Sequence, residues 1–201
     1  GYKVLKNIEK IIRDEMTFAG AEELLMPSLL NTEFFEKSNR LSSFGDSMFS
    51  LKDRFDKEYA LGPTHEELFT FAALSKVRSL KDLPFTLFQI QNKFRDEARP
   101  RYGLIRVREF LMKDAYSFDR DIKGLDESYD KMFNAYKKIF GRIGINYKIV
   151  TADTGAMGGL LSEEFQAVTD IGEDVLVLCD KCNYASNMEI AKTVVSDTNE
   201  E

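Results

Sequence analysis

Two alternating runs flank a short stretch containing proline and glycine between residues 86 and 118, and no other feature limits the possible folds so strongly. From Thr86 to Glu97 a period of two puts Gln89, Gln91, Lys93, Arg95 and Glu97 on one face and Phe88, Ile90 and Phe94 on the other. From Leu104 to Phe118 the same period gathers Arg106, Arg108, Phe110, Asp114 and Tyr116 opposite Ile105, Val107 and Leu111. Joined by a loop from Ala98 to Gly103, the runs predict an antiparallel hairpin with one polar face.

That face offers arginine forks, carboxylates and aromatic rings together. Guanidinium groups pair bidentately with phosphate oxygens, a carboxylate accepts from an exocyclic amine, and a ring stacks on a base, so the set suits a nucleotide. The plainer alternative is a polar sheet face laced with cross-strand ion pairs. Net charge is -6, which argues against a general nucleic-acid coat. Locally the balance reverses, because Lys93 to Lys113 holds seven basic and three acidic residues. An acidic body with one basic site fits a polyanionic ligand held at one place.

The remaining periodicities predict an α+β fold, a mostly antiparallel sheet flanked by helices. Val4, Leu5, Ile8, Ile11 and Ile12 follow helical spacing up to a stop near Gly20, and an apolar strand, Glu23 to Leu30, carries Pro27 as an edge or bulge. Asn31 or Thr32 can cap a short helix through Lys37, Arg40 to Ser47 reads as loop, and Met48 to Lys52 with Glu58 to Leu61 reads as a hairpin. Thr64 and Glu67 have the spacing of a capping box at the start of a helix from Glu66 to Val77. His65, the only histidine, reads as a surface or packing residue at that helix start. A long apolar stripe including Leu125, Tyr129, Met132, Tyr136, Ile139 and Ile143 predicts a core helix ending at Gly144. Strands follow at Tyr147 to Ala152 and, buried, at Val175 to Leu178, with a further helix beginning beyond Asn187.

No apolar run approaches the roughly 18 residues that span a membrane, and no signal peptide is visible, so the cytoplasm is the expected location. Cys179 and Cys182 form a lone CxxC. It could be half a zinc site, a redox pair or two ordinary thiols; without a second pair or a suitable histidine, zinc is disfavoured. Both ends read as cut from something longer.

The string FRDEARPRYGLIRVREFLMKDAYSF, with Phe-Arg-x-Glu, a loop and then Arg-x-x-x-Phe, resembles motif 2 of the class II aminoacyl-tRNA synthetases, in the form found in bacterial-type prolyl-tRNA synthetases. GPTHEE resembles their TxE loop, and the helix and strand around Pro27 resemble motif 1, which implies a homodimer. TGAMGGLLSEEFQ is similar to a glycine-rich turn usually read GGSxSHEF, departing from it at Leu160 and Glu163. The resemblance implies an incomplete class II catalytic fold over residues 1–178, with 179–201 starting an insertion (editing) region or a joining linker, and with motif 3 absent.

It further implies ATP-dependent activation of proline and transfer of the prolyl group to its tRNA. Thr64 and Glu66 would bind the ammonium group of proline; Arg95 would hold the α-phosphate and the proline carboxylate and be the catalytic residue. Glu97 would accept from the adenine amine, Arg106 would meet the γ-phosphate, Phe110 would stack on adenine, and Arg99 at the loop tip would touch the tRNA acceptor end. Mg2+ would bridge the ATP phosphates, with no protein metal ligand assigned. A chain lacking motif 3 would be inactive alone. The alternatives are a non-catalytic synthetase-like module and a threonyl-type synthetase.

Overall fold

The computed structural model describes residues 1–152 and 161–192. The chain divides into two compact units, Gly1–Ile143 and the part from Gly144 onward. The architecture is α+β, as expected.

In the first unit the predicted hairpin is present as β5 (Phe85–Phe94) and β6 (Glu109–Phe118), paired antiparallel over ten residues from Phe85↔Phe118 to Phe94↔Glu109. The register sets Lys93 beside Phe110 and Gln89 beside Asp114, so the two polar faces fall on the same side. A third strand, β1 (Ala21–Glu23), runs parallel to β5. Helix α1 (Tyr2–Phe18) and helix α5 (Ile122–Ile143) cover the opposite face, where Met16, Ala21, Phe88 and Ile139 form a core flanked by Ile12, Ile90 and Met132. Full burial of a side chain such as Phe88 contributes about 1.5–3 kcal/mol. Leu125 and Tyr129, expected in the core stripe, are exposed at the start of α5, so burial begins one turn later, around Ser128 and Met132.

A second sheet of this unit has the order β2-β4-β3, with β2 (Leu29–Asn31), β3 (Ser50–Lys52) and β4 (Glu58–Leu61) all antiparallel. Behind it Leu30, Phe35, Met48, Ala60 and Leu68 make a second core. Helices α2 (Glu33–Lys37) and α4 (Glu66–Lys76) pack together; between α2 and β3, where a loop was expected, stand α3 (Leu41–Phe44) and a 3-10 turn, Gly45–Ser47. Thr32 stands at the N-cap of α2 without a side-chain cap bond, and Asn31 just before it accepts the Glu33 N–H at 3.1 Å.

The strand expected over Glu23 to Leu30 is two strands in two sheets. Pro27 has no N–H to give a ladder, and the chain crosses from one sheet to the other around it. The crossing backbone is satisfied mainly by side chains: Met26 N–H donates to Gln89 Oε1 at 3.0 Å, Gln91 Nε2 donates to Met26 O at 2.8 Å, and His65 Nε2 lies 2.9 Å from Pro27 O.

The second unit is a sheet of order β8-β7-β10-β9, formed by β7 (Tyr147–Thr151), β8 (Glu163–Ala167), β9 (Leu176–Leu178) and β10 (Ala185–Asn187). β10 was not expected; it closes a hairpin with β9 and pairs parallel with β7. β9 is not the buried strand expected, since Val175 and Leu178 are exposed. Beyond Asn187 a 3-10 turn, Met188–Ile190, stands in place of the described part of the expected helix. The turn expected from Thr154 to Gly159, together with Leu160, lies outside the described residues.

Candidate active site

The stretch Gly62 to Glu67 leaves β4 and enters α4, and it concentrates polar side chains at the level where β5 ends. Thr64 is buried, and its hydroxyl donates to the Glu66 carboxylate, 2.6 Å from each oxygen. Arg40 Nη1 lies 3.0 Å from Glu66 Oε2 and 3.0 Å from Glu67 Oε1, and Ser38 Oγ donates to Glu67 at 2.8 Å. The capping box is therefore not formed. His65 occupies the N-cap position, and Glu67 turns toward Arg40 and Ser38 instead of back to the helix start.

His65 is fully buried and is held at both ring nitrogens. A carbonyl can only accept, so Nε2 carries the proton given to Pro27 O, and Nδ1 accepts from Lys93 Nζ at 2.6 Å. Lys93, also fully buried, reaches Asp114 Oδ1 at 2.8 Å. Asp114 Oδ2 takes the Tyr116 hydroxyl at 2.7 Å and Gln89 Nε2 at 3.0 Å, while the Tyr116 ring packs 4.5 Å from Phe69 of α4. Burial pushes the imidazole below its usual range, and the Lys93 charge adds to this. Lys93 is lowered by burial against the opposing pull of Asp114. Tyr116 is raised well above the ordinary phenol range by burial, then by Glu66 and Asp114. The neutral ring, ammonium and carboxylate thus form one connected chain beneath Thr64 and Glu66. Gly62 is a close-approach position: a Cβ there would lie 2.9 Å from His65 Cε1 and 3.1 Å from Leu30 Cδ1.

Past Phe94 the hairpin opens into a long loop. Arg95 stays in register through its N–H to Arg108 O, its guanidinium lies 5.4 Å from the centroid of the Phe110 ring, and Nε and Nη2 are each 3.4 Å from Pro63 O. Glu66 is close enough to act on it electrostatically. Arg95, Phe110, Thr64 and Glu66 are thereby brought together.

Glu97 and Arg106 are together as well, but with each other, Arg106 Nε donating to Glu97 Oε2 at 2.7 Å. The backbone N–H of Arg99 holds the other oxygen at 3.0 Å, and these two contacts, Arg99 first, keep Glu97 below the usual carboxylate range. Arg108 pairs with Asp96 at 3.1 Å. Part of the plainer reading of this face is therefore true. Both pairs are partly exposed and screened by solvent, so phosphate oxygens can compete for the same guanidinium groups.

Arg99 is not at the loop tip. An inner bridge, Arg101↔Arg106, closes around Tyr102 and Gly103, both at positive φ, which puts the tip at residues 102–105 and Arg99 on its flank. Asp114 and Tyr116, grouped by sequence with the ligand-facing residues, are spent on the support beneath. Arg40 went unnoticed because it lies in a stretch without periodicity. His65 gave only the hint of being the single histidine beside Gly62.

The family profile described as tRNA synthetase class II core domain (G, H, P, S and T) matches residues 49–201. The chain belongs to this class II core family. Curated relatives agree. A Proline--tRNA ligase from Thermoanaerobacter sp. is 51% identical over 196 residues, 98% of this chain and 34% of its own length. Those from Caldicellulosiruptor saccharolyticus and Rhodococcus erythropolis are 54% and 52% identical over 96% and 98% of this chain, again 34% of their own lengths. This class II core chain thus spans about a third of the relatives it matches. Among solved structures, Giardia lamblia prolyl-tRNA synthetase in complex with prolyl-adenylate superposes with a TM-score of 0.70 at 23% identity, covering 75% of this chain and 32% of that one. The RNA binding domain of threonyl-tRNA synthetase from Cryptosporidium parvum Iowa II gives 0.68 at 22%, covering 76% and 38%. These likenesses establish the class II catalytic fold. Among the described residues no helix is long and apolar enough to cross a membrane.

Proposed function

We propose that the chain carries the amino-acid and ATP sites of a proline–tRNA ligase, which joins proline to ATP as prolyl adenylate and passes the prolyl group to tRNA. One observation carries this reading: Glu66, with Thr64 bonded to it, lies within electrostatic reach of Arg95. An amino acid is a zwitterion, and a carboxylate next to a guanidinium on a partly buried floor complements both of its charges.

In this reading Thr64 and Glu66 take the ammonium group, and Arg95 takes the carboxylate and then the α-phosphate. Phe110 offers its ring to adenine, Glu97 accepts from the adenine amine, and Arg106 swings from Glu97 to the γ-phosphate. Arg99, on the flank of the loop, meets the tRNA acceptor end. No side chain need form a covalent bond, because the carboxylate of proline is itself the nucleophile at phosphorus and pyrophosphate leaves. The protein contributes orientation and fixed charge. Among the described residues no three potential ligands converge on one point, so these residues offer no cage for Mg2+; the ion would arrive on the triphosphate, its usual carrier. The whole enzyme would act in the cytoplasm as a homodimer, with the region around Pro27 at the interface.

The test is a thermal-shift panel of amino acids with ATP. Proline, or a non-hydrolysable prolyl-adenylate analogue, should stabilise the chain most, by about 2.7 kcal/mol at a hundredfold excess over Kd. A larger effect from threonine or serine would overturn the assignment.

A further inference from the structure

The turn between β9 and β10 carries both cysteines of the chain and takes no part in the site described above. Cys179 N–H donates to Tyr184 O at 3.0 Å and closes it. Within the turn the backbone is aimed at sulfur. Lys181 N–H lies 3.4 Å from Cys179 Sγ, and Tyr184 N–H lies 3.5 Å from Cys182 Sγ, the same two-residue step at both sulfurs. Cys179 Sγ also accepts from the N–H of Cys182 and is within hydrogen-bond reach of its thiol.

Both thiols are exposed and neither is in a disulfide. They line a pocket of about 270 Å³ with Tyr147, Lys148 and Asn183, so an ion can reach both. A neutral thiol is a weak acceptor, and three backbone donors facing two sulfurs gain little unless the sulfurs carry charge. Thiolates one CxxC step apart, each already hydrogen-bonded by backbone, are what a soft cation requires of its ligands and of the groups behind them.

We propose that Cys179 and Cys182 form a two-thiolate site for a soft divalent cation, Zn2+ or its spectroscopic stand-in Cd2+. Two metal–sulfur bonds form, and the two thiol protons pass to the solvent. Among the described residues no third histidine, cysteine or carboxylate joins the pair, so the other two tetrahedral positions fall to water or small exchangeable ligands. The site is open and exchanges its ion. This inference is independent of the proposed function.

The experiment takes the full chain, reduced and stripped with a chelator, and titrates it with Cd2+, following thiolate-to-cadmium charge-transfer absorption and native mass. The expected result is one ion per chain, displaced by Zn2+ and lost in both Cys179→Ser and Cys182→Ser. Removing one N–H donor, in Lys181→Pro or Tyr184→Pro, should weaken binding about tenfold, as loss of one charge-assisted hydrogen bond would. Circular dichroism identifies any proline variant that fails to fold, in which case the other decides; if both fail, the serine variants decide. Unchanged binding in a serine variant would overturn the site. Wild-type affinity in a folded proline variant would overturn the role of the backbone, and formation of the Cys179–Cys182 disulfide in place of the complex, with metal present under mild oxidation, would make the pair a redox couple instead.

Discussion

Replacing Asp114 with asparagine removes one charge from the buried chain and leaves its shape. Lys93 then loses the only carboxylate in contact with it among the described residues; its other close partner is the imidazole of His65, and Glu66 acts on it from farther away. Removing one member of a buried pair costs about 3–5 kcal/mol. The cost has a ceiling, because Lys93 can give up its proton. With an ordinary lysine value of 10.5, neutralisation at pH 7 costs about 1.4 kcal/mol per pH unit, or roughly 5 kcal/mol in all. At roughly 2–4 °C per kcal/mol for a chain of this size, Asp114→Asn should lower Tm by about 6–20 °C. The sign with pH follows: once Lys93 is neutral in the folded variant, the unfolded chain binds one proton more, so stability rises with pH toward 10.5 and the deficit against wild type narrows. Adding Lys93→Met removes both ions and should recover much of the loss. Urea unfolding of wild type, single and double variants at pH 7 and pH 9 measures all of this. A single variant costing under about 1 kcal/mol, or a double variant costing the sum of its parts, would refute the claim that the pair acts as a buried unit.

His65 is held neutral by burial and by Lys93, so its folded pKa lies below 6.5; its contribution to stability is complete above that value and is lost as pH falls below it. Imidazole resonances should stay in the neutral form below pH 6.5, and an ordinary titration would contradict the double anchoring. Gly62→Ala should cost about 1–3 kcal/mol through the close approach to His65 and Leu30, measured by the shift in the urea midpoint. Phe110→Leu should weaken ATP binding, measured by calorimetry, while destabilising the chain by less than the roughly 3–5 kcal/mol of emptying a core aromatic site. Unchanged ATP affinity with a large loss of stability would make Phe110 a core residue.

The sequence alone determined what depends on near neighbours. Strands β5 and β6 are ten residues each with a period of two, and alternation fixes the facing of each side chain whatever surrounds it, so the hairpin and its shared polar face were legible. Helices α1, α4 and α5 and the β3–β4 hairpin followed from local pattern in the same way, and the FRDE and GPTHEE strings carried the family. What the tertiary structure decided was where each polar group finds its partner. Thr64 and Glu67 have capping-box spacing, yet Arg40 and Ser38, distant in sequence, compete for Glu67 and win. The run from Glu23 to Leu30 looks like one strand; it divides at Pro27 because Gln89, Gln91 and His65 satisfy its backbone as it crosses between sheets. Lys93, Asp114 and Tyr116 share a face with Phe110, but only the packing of α4 against that face buries them and turns them from ligand groups into support. A charge on a strand looks the same in sequence whether it meets solvent, a ligand or another charge; its desolvation and its partner are properties of the assembled chain.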